Sequence, residues 1–311
     1  MGEAYAIGLQ GFTNPKRMPK FTYSGASVTT TDENGWMIVL KTSGTLKFNT
    51  IIPKGIDVFL VGGGGGGSAS LAGGWLGGAA GGAGGYTTTK RGVTVKRGTS
   101  YSITIGAGGA GGTQDDVAGK DGGKTTAFGH EAAGGTARGS SVVDGTARVT
   151  GGNGGSGGGT PSNAGGTYQG AGGTAGGNGG GAGIDREDGV ILYVPGGKGQ
   201  GGTTRAFGES TGWLFAAGGG CGGHYPRYDD SHTPGGAGEY IALLGINTKG
   251  GDGNILHGNG GPYVGGSAAA NSGSGGGGGG ARYTPPGADG GNTAFNGGSG
   301  GSGIVIIRNA R

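Results

Sequence analysis

The chain has 311 residues, 94 of them glycine, a formal net charge of +4 and one cysteine, Cys221. One cysteine excludes an intrachain disulfide and any multi-cysteine metal site. Basic residues are scattered as pairs such as Lys90/Arg91 and Lys96/Arg97, with no Arg-Gly-Gly triplet, which argues against an RNA-binding tail and nucleic acid as a partner.

From the N-terminus, residues 1–20 (MGEAYAIGLQGFTNPKRMPK) read as an attachment segment. They hold no continuous apolar run of the signal-peptide kind, and Ala6 breaks the myristoylation pattern. No 18-residue stretch of the chain is apolar enough to span a bilayer, so no membrane insertion is expected. Residues 21–105 read as a framework of short strands: FTYSG, SVTTT, WMIVLK, TLKFNTII, DVFLV, YTTTK, VTVK and YSITI, separated by glycine- and proline-containing turns. That spacing predicts a β-sandwich of jelly-roll type. IDVFLV and the C-terminal IVIIR are apolar without alternation, which predicts central strands covered on both faces. Residues 106–302 alternate glycine runs with short islands, and residues 303–311 read as a strand returning to the framework. Glycine costs about 1 kcal/mol per residue in a helix interior, so essentially no α-helix is expected.

Glycine motifs first need a correction for chance. DVFLVGGGGGG fits a dinucleotide fingerprint through Gly62, Gly64 and Gly67. At this glycine frequency three specified glycines recur by luck about eight times, so the match carries no weight. G-x-S-x-G at Ser156, Ser210 and Ser299 opens no strand-to-helix turn. The phosphate-loop-like stretch from Ala118 to Thr125 has neither the strand before it nor the helix after it that such a loop needs. No nucleophile–base pair stands out either. No catalytic residue, cofactor or enzymatic activity is expected.

What the glycines do follows from their period of three. GAGGAGG places Ala107 and Ala110, GGNGGSGGG places Asn153 and Ser156, and GGSGGSG places Ser299 and Ser302 at the non-glycine position. A polyproline-II-type helix has three residues per turn, so these side chains share one edge and the other two edges are bare. Bare edges let rods pair by backbone hydrogen bonds, giving a core without side chains. The expected fold is therefore all-β, a jelly-roll-like sandwich with an inserted polyglycine-II bundle. The unbroken runs at residues 62–67 and 275–280, with Gly62, Gly64, Gly67, Gly275 and Gly278 as scaffold positions, should lie inside it, and the glycine-glycine-X runs outside.

The block VFLVGGGGGG…GGAGGYTTT…VTVKRGTSYSITIGAGGAGG, with the ending GGSGIVIIR, resembles the glycine-rich domain at the ends of bacteriophage tail fibres, and is similar to the polyglycine-II adhesins at the tips of some T-even long tail fibres. It also resembles the glycine-rich extracellular region of anaplastic lymphoma kinase. The phage resemblance implies a virion tail protein made in the host cytoplasm, whose loops touch a host receptor, either a polysaccharide or an outer surface protein. It implies other tail proteins as partners and a homo-oligomer, trimers being common among fibres. A purely structural tail component and an ice-binding protein are the alternatives.

Candidate contact residues sit in the islands. CGGHYPRYDDSH offers His224, Tyr225, Arg227, Tyr228 and His232, whose spacing matches no defined metal site. The loop is read either as inert surface or as receptor contact, rigid rings giving contact area at little entropy cost. Trp75 and Trp213 read first as apolar packing, since large aromatics usually bury, and second as contacts; Tyr283 is a further contact candidate.

Overall fold

The computed structural model describes residues 17–32, 35–70, 79–114, 117–137, 141–143, 146–148, 151–161, 181–184, 191–192, 204–222, 239–253, 264–282 and 293–311. Among these the chain is all-β, and the sole helical element is a 3-10 turn at Ala206–Gly208. Two antiparallel sheets form the sandwich. Strands β1 (Phe21–Tyr23), β4 (Gly44–Phe48) and β7 (Ser100–Ile103) make a three-stranded sheet in the order β1-β4-β7. The larger sheet contains β2 (Ser27–Asp32), β3 (Gly35–Leu40), β5 (Ile56–Val61), β6 (Thr87–Val93) and the C-terminal strand Ile304–Asn309. Its order is β2-β3, the C-terminal strand, then β5-β6. YTTTK falls in β6, which continues through Gly92 at positive φ to Val93; VTVK, expected as a further strand, contributes only Val93, and residues 94–96 are not strand.

The unalternating apolar runs are explained by burial on both sides of this sheet. Ile306 stands opposite Val39 and Phe59, and Val305 opposite Leu40 and Leu60. Val305 and Ile307 point with Ile38, Leu40, Val58 and Leu60 into the space between the sheets, where Leu46, Phe48 and Ile103 of the smaller sheet meet them. Ile304 and Ile306 point the other way with Val39, Phe59 and Val61. There they are covered by Phe207, Phe215, Ala216, Ile241, Leu244 and Ile246 from segments at 204–217 and 239–248. Burying a side chain of this size contributes about 1.5–3 kcal/mol, so the covering segments belong to the core.

The glycine runs leave the sandwich as rods. Residues 62–70 continue directly from β5, and their amide partners repeat every three residues. Gly62, Gly65 and Ser68 donate to the carbonyls of Tyr86, Ala83 and Ala80; Gly63, Gly66 and Ala69 to Gly123, Lys120 and Val117; Gly64, Gly67 and Ser70 to Gly301, Gly298 and Phe295, all at 2.8–3.0 Å. Each triplet lies on one edge of a threefold helix and each edge faces one antiparallel neighbour. In return Gly63 accepts from Gly135, Gly64 and Gly67 from Gly109 and Gly112, and Gly65 and Ser68 from Gly276 and Gly279. The rod therefore has six neighbours, at 79–86, 117–123, 295–303, 133–137, 106–112 and 273–280. Each also bonds to the next around the ring, through pairs such as Gly123 to Ala107 and Gly122 to Gly135.

The same closure holds around 79–86 and 273–280. The first is ringed in addition by 151–155, 156–159 and 215–222, and the second by 215–222, 250–253 and 264–267. Among the described residues, three mutually touching rods are thus enclosed by nine others in hexagonal packing. The six-glycine runs at 62–67 and 275–280 are buried throughout, and Ala107, Ala110 and Ser299 are exposed on outer rods. Two features depart from the sequence expectation. Ser156, on an outer rod, is fully buried, and the inner rod 79–86 holds buried Ala79, Ala80 and Ala83. An alanine fits inside where the opposing position has no side chain: Ala83 Cβ packs against Gly154, whose own Cβ would lie 2.8 Å away. The division near residue 105 separates strand from glycine only in part, because two of the three inner rods, 62–70 and 79–86, precede it.

One polar cluster is built into the sheet. Arg308 and Asp57, 2% and 1% exposed, sit opposite each other on the C-terminal strand and β5 with Nη2 to Oδ2 at 3.3 Å. Glu209 reaches Arg308 Nη2 at 2.6 Å, Arg91 reaches Asp57 at 3.3 Å, and the Arg308 guanidinium lies 3.9 Å from the Phe207 ring centre. Phe207 has φ 58°, a backbone state costing a non-glycine residue about 1–3 kcal/mol, and its ring is used against both Arg308 and Phe59. The hydrogen bond from Arg308 holds the Glu209 carboxyl below the ordinary carboxylate range. A carboxyl lowered on folding stabilises the native state above its unfolded pKa of about 4.3, and that contribution is lost as pH falls through the lower folded value. Glu209→Gln should therefore lower stability by about 1 kcal/mol at pH 7, the group being partly exposed. The gap in melting temperature to the parent should begin to close as pH falls below about 4.3 and vanish below the lowered folded value; a gap independent of pH would show that the carboxylate is not the stabilising species.

Candidate functional site

The topology of the rods decides where loops emerge. Rod 62–70 starts at the sheet and ends at Ser70, whose amide pairs with Phe295, while 295–303 returns toward the sheet and enters the C-terminal strand. Gly112 and Val117 lie level with Gly67 and Ala69; Gly222 pairs with Ala79; and Arg282 and Thr293 face each other in a two-residue ladder beyond the end of rod 273–280. Ser70, Ala79, Gly112, Val117, Gly222, Arg282 and Thr293 are thus gathered at the bundle end farthest from the sandwich.

Those positions bracket most of the candidate contacts. Trp75 falls between Ser70 and Ala79, His224, Tyr225, Arg227, Tyr228 and His232 follow Gly222, and Tyr283 follows Arg282. All seven lie outside the described residues. Trp213 does not join them: it packs against the apolar cluster of Phe59, Phe207 and Phe215 at the sheet side, just before rod 215–222 begins. Cys221 is buried within that rod.

The motifs that suggested nucleotide chemistry are absorbed by the bundle. The amides of Gly62, Gly64 and Gly67 are bonded to carbonyls of Tyr86, Gly301 and Gly298 and are not free to cradle a phosphate. The stretch from Ala118 to Thr125 runs as outer rod 117–123 into the strand Thr125–Ala127; the Lys120 amide donates to Ala110, and a Cβ at Gly122 would meet the Gly63 carbonyl at 2.0 Å. Among the described residues, no group of three or more His, Cys, Asp or Glu side chains is placed to hold a metal ion, and no helix is long and apolar enough to cross a membrane.

Among the described residues, strands feed threefold glycine rods and the C-terminal strand closes the sheet. The family model described as "Glycine-rich domain" matches residues 41–310. The chain belongs to this glycine-rich domain family. A search of curated proteins finds no match. The family match spans every rod and both faces of the larger sheet. It omits β1, β2 and β3 entirely, so the matched region lacks the two strands at one edge of the larger sheet and the first strand of the smaller one.

Sequence reasoning missed the Arg308–Asp57 cluster. Its signal was present: one acid in IDVFLV and one base in IVIIR are the only charges in the two most apolar strands, and adjacent central strands would pair them.

Proposed function

We propose that this chain is a non-enzymatic binding protein of the phage-tail type, in which the bundle is a rigid arm and the segments at its far end meet a host cell-surface receptor. The observation that supports this reading is the common placement of the chain exits at Ser70, Ala79, Gly222 and Arg282 on one end of a bundle locked by backbone bonds in every direction. Variable loops on a rigid scaffold are where binding usually resides. A bundle with almost no side-chain packing gains little as a catalyst, whereas it keeps its loops in register at low ordering cost on association.

The aromatic residues Tyr225 and Tyr228 are the proposed contacts. The test is adsorption of the purified chain to a panel of bacterial cells and isolated surface polysaccharides. Replacing both tyrosines with Ala should weaken binding by about tenfold or more with an unchanged melting temperature, and Trp213→Ala should lower stability and leave binding intact. A tyrosine variant that adsorbs like the parent removes that loop from the contact, and a parent that adsorbs to nothing favours a purely structural tail role.

One feature favours a second reading. Rods 106–112, 295–303 and 264–267 lie side by side, presenting Ala107, Ala110, Ser299 and Ser267 on a flat outer face. Such a face suits ice, and freezing-point hysteresis in the purified protein would support that reading over the adhesin.

A further inference from the structure

The charges of this chain are divided between its two halves. The sandwich segments, residues 17–105 and 303–311, hold eleven Lys and Arg against three Asp and Glu, a net of +8; residues 106–302 hold ten against fourteen, a net of −4. The overall +4 conceals this separation.

Within the sandwich the basic side chains collect at the end opposite the bundle. Lys20 precedes β1, and its carbonyl accepts from Asn49 just past the end of β4. Lys96 and Arg97 occupy the turn whose Gly98 amide donates to Phe48, the last residue of β4. Lys54 lies in the turn entering β5, beside Gly55, whose carbonyl accepts from Ala310 next to Arg311. Arg17 leads into the same end. All six are exposed, and none makes an ion pair with a carboxylate among the described residues. Arg311 acts on the Glu209 carboxyl only through its charge. Two described acids belong to this end: Asp57, buried and neutralised by Arg308 and Arg91, and Asp32, which closes β2 opposite Gly35 beside Asn309.

From this we infer that the base of the sandwich is a docking platform for an acidic protein surface. Six exposed basic side chains outnumber the acids of this end, and a field of one sign steers encounter with a surface of opposite sign. A protein surface fits better than nucleic acid. Ile51, 61% exposed, stands among these turns, and among the described residues the exposed side chains of this end include no aromatic ring on which a base would stack. The inference goes beyond the proposed function, adding an anchoring end to the arm, and stands on the charge placement and exposed Ile51 independently of the receptor reading.

The test uses the full chain with two probes, poly-L-glutamate and random-sequence duplex DNA of matched charge, in low-salt buffer. The parent should bind poly-L-glutamate at least as tightly as DNA and lose about tenfold or more in affinity when salt is raised to near-physiological strength. The triple variant K54Q/K96Q/R97Q should lose binding by about tenfold. K120Q/K124Q/K249Q, which removes the same charge from the bundle and its edge, should stay within about twofold. Tighter binding to DNA, equal losses in the two variants, or no binding to poly-L-glutamate would each overturn the platform. Cell adsorption measured on the same variants reads the receptor end separately, so either proposal can fail while the other stands. Should K54Q/K96Q/R97Q fold poorly, the single variants K54Q and R97Q should each show part of the loss, and their absence of effect would also overturn it.

Discussion

Gly64→Ala is expected to lower the stability of the protein by about 3 kcal/mol or more, and its melting temperature by about 6 °C or more. A Cβ at this position would lie 2.0 Å from the Ser274 carbonyl oxygen and 2.4 Å from its carbon. Both are backbone atoms, so no side chain can rotate away. Relief requires rod 273–280 to retreat, weakening the bonds that Gly276 and Gly279 donate to Gly65 and Ser68, each contributing about 1 kcal/mol. The reduced entropy of the unfolded chain works the other way by at most about 1 kcal/mol. Ala110→Ser, on the exposed edge of an outer rod, should stay within about 0.5 kcal/mol. Thermal or denaturant unfolding of the two variants side by side measures the difference. If Gly64→Ala melts with the parent, the inner rods are not close-packed, and backbone pairing is not what replaces an apolar interior here.

Arg308→Met should cost about 3 kcal/mol, the lower part of the range for removing one partner from a buried ion pair. The variant leaves the Asp57 carboxylate 1% exposed with Arg91 at 3.3 Å and the Gly92 amide at 3.0 Å as partial compensation. It also releases Glu209 and the Phe207 ring from the sheet, loosening the 204–209 segment that covers Phe59. Replacing both members of the pair, in Asp57→Leu/Arg308→Met, should recover part of the loss, because the desolvation cost of the remaining charge disappears with it. Equal losses in the single and double variants would mean that Arg308 acts through packing of its stem and not through its charge.

Both predictions concern features that a reading of composition ranks low. Roughly 15% of the chain is Leu, Ile, Val or Phe, a fraction that usually signals disorder. Among the described residues, most of these side chains are concentrated in two clusters on either face of one sheet, and the glycine rods are ordered by amide bonding at a spacing of three. Ordering a glycine costs about 1–2 kcal/mol. Isolated runs could not recover that, but the three inner rods, each with six neighbours, use most of their donors and acceptors.

The sequence by itself determined what depends on local periodicity. The absence of α-helix among the described residues follows from glycine content, the central placement of IDVFLV and IVIIR from their unbroken apolar character, and the threefold rods from the glycine-glycine-X spacing. Only the tertiary structure decided which rods are enclosed, that 79–86 joins 62–70 and 273–280 at the centre despite its alanines, and that Trp213 belongs to the sheet cover instead of the far end. Glycine runs are locally alike, with no side chain to distinguish one neighbour from another. Their order in the bundle is fixed by long-range register, set where each rod leaves or enters the sandwich. For the same reason the basic base was invisible in a net charge of +4: it arises when turns remote in sequence, at 17–20, 53–55 and 96–99, are brought to one end by the pairing of the strands between them.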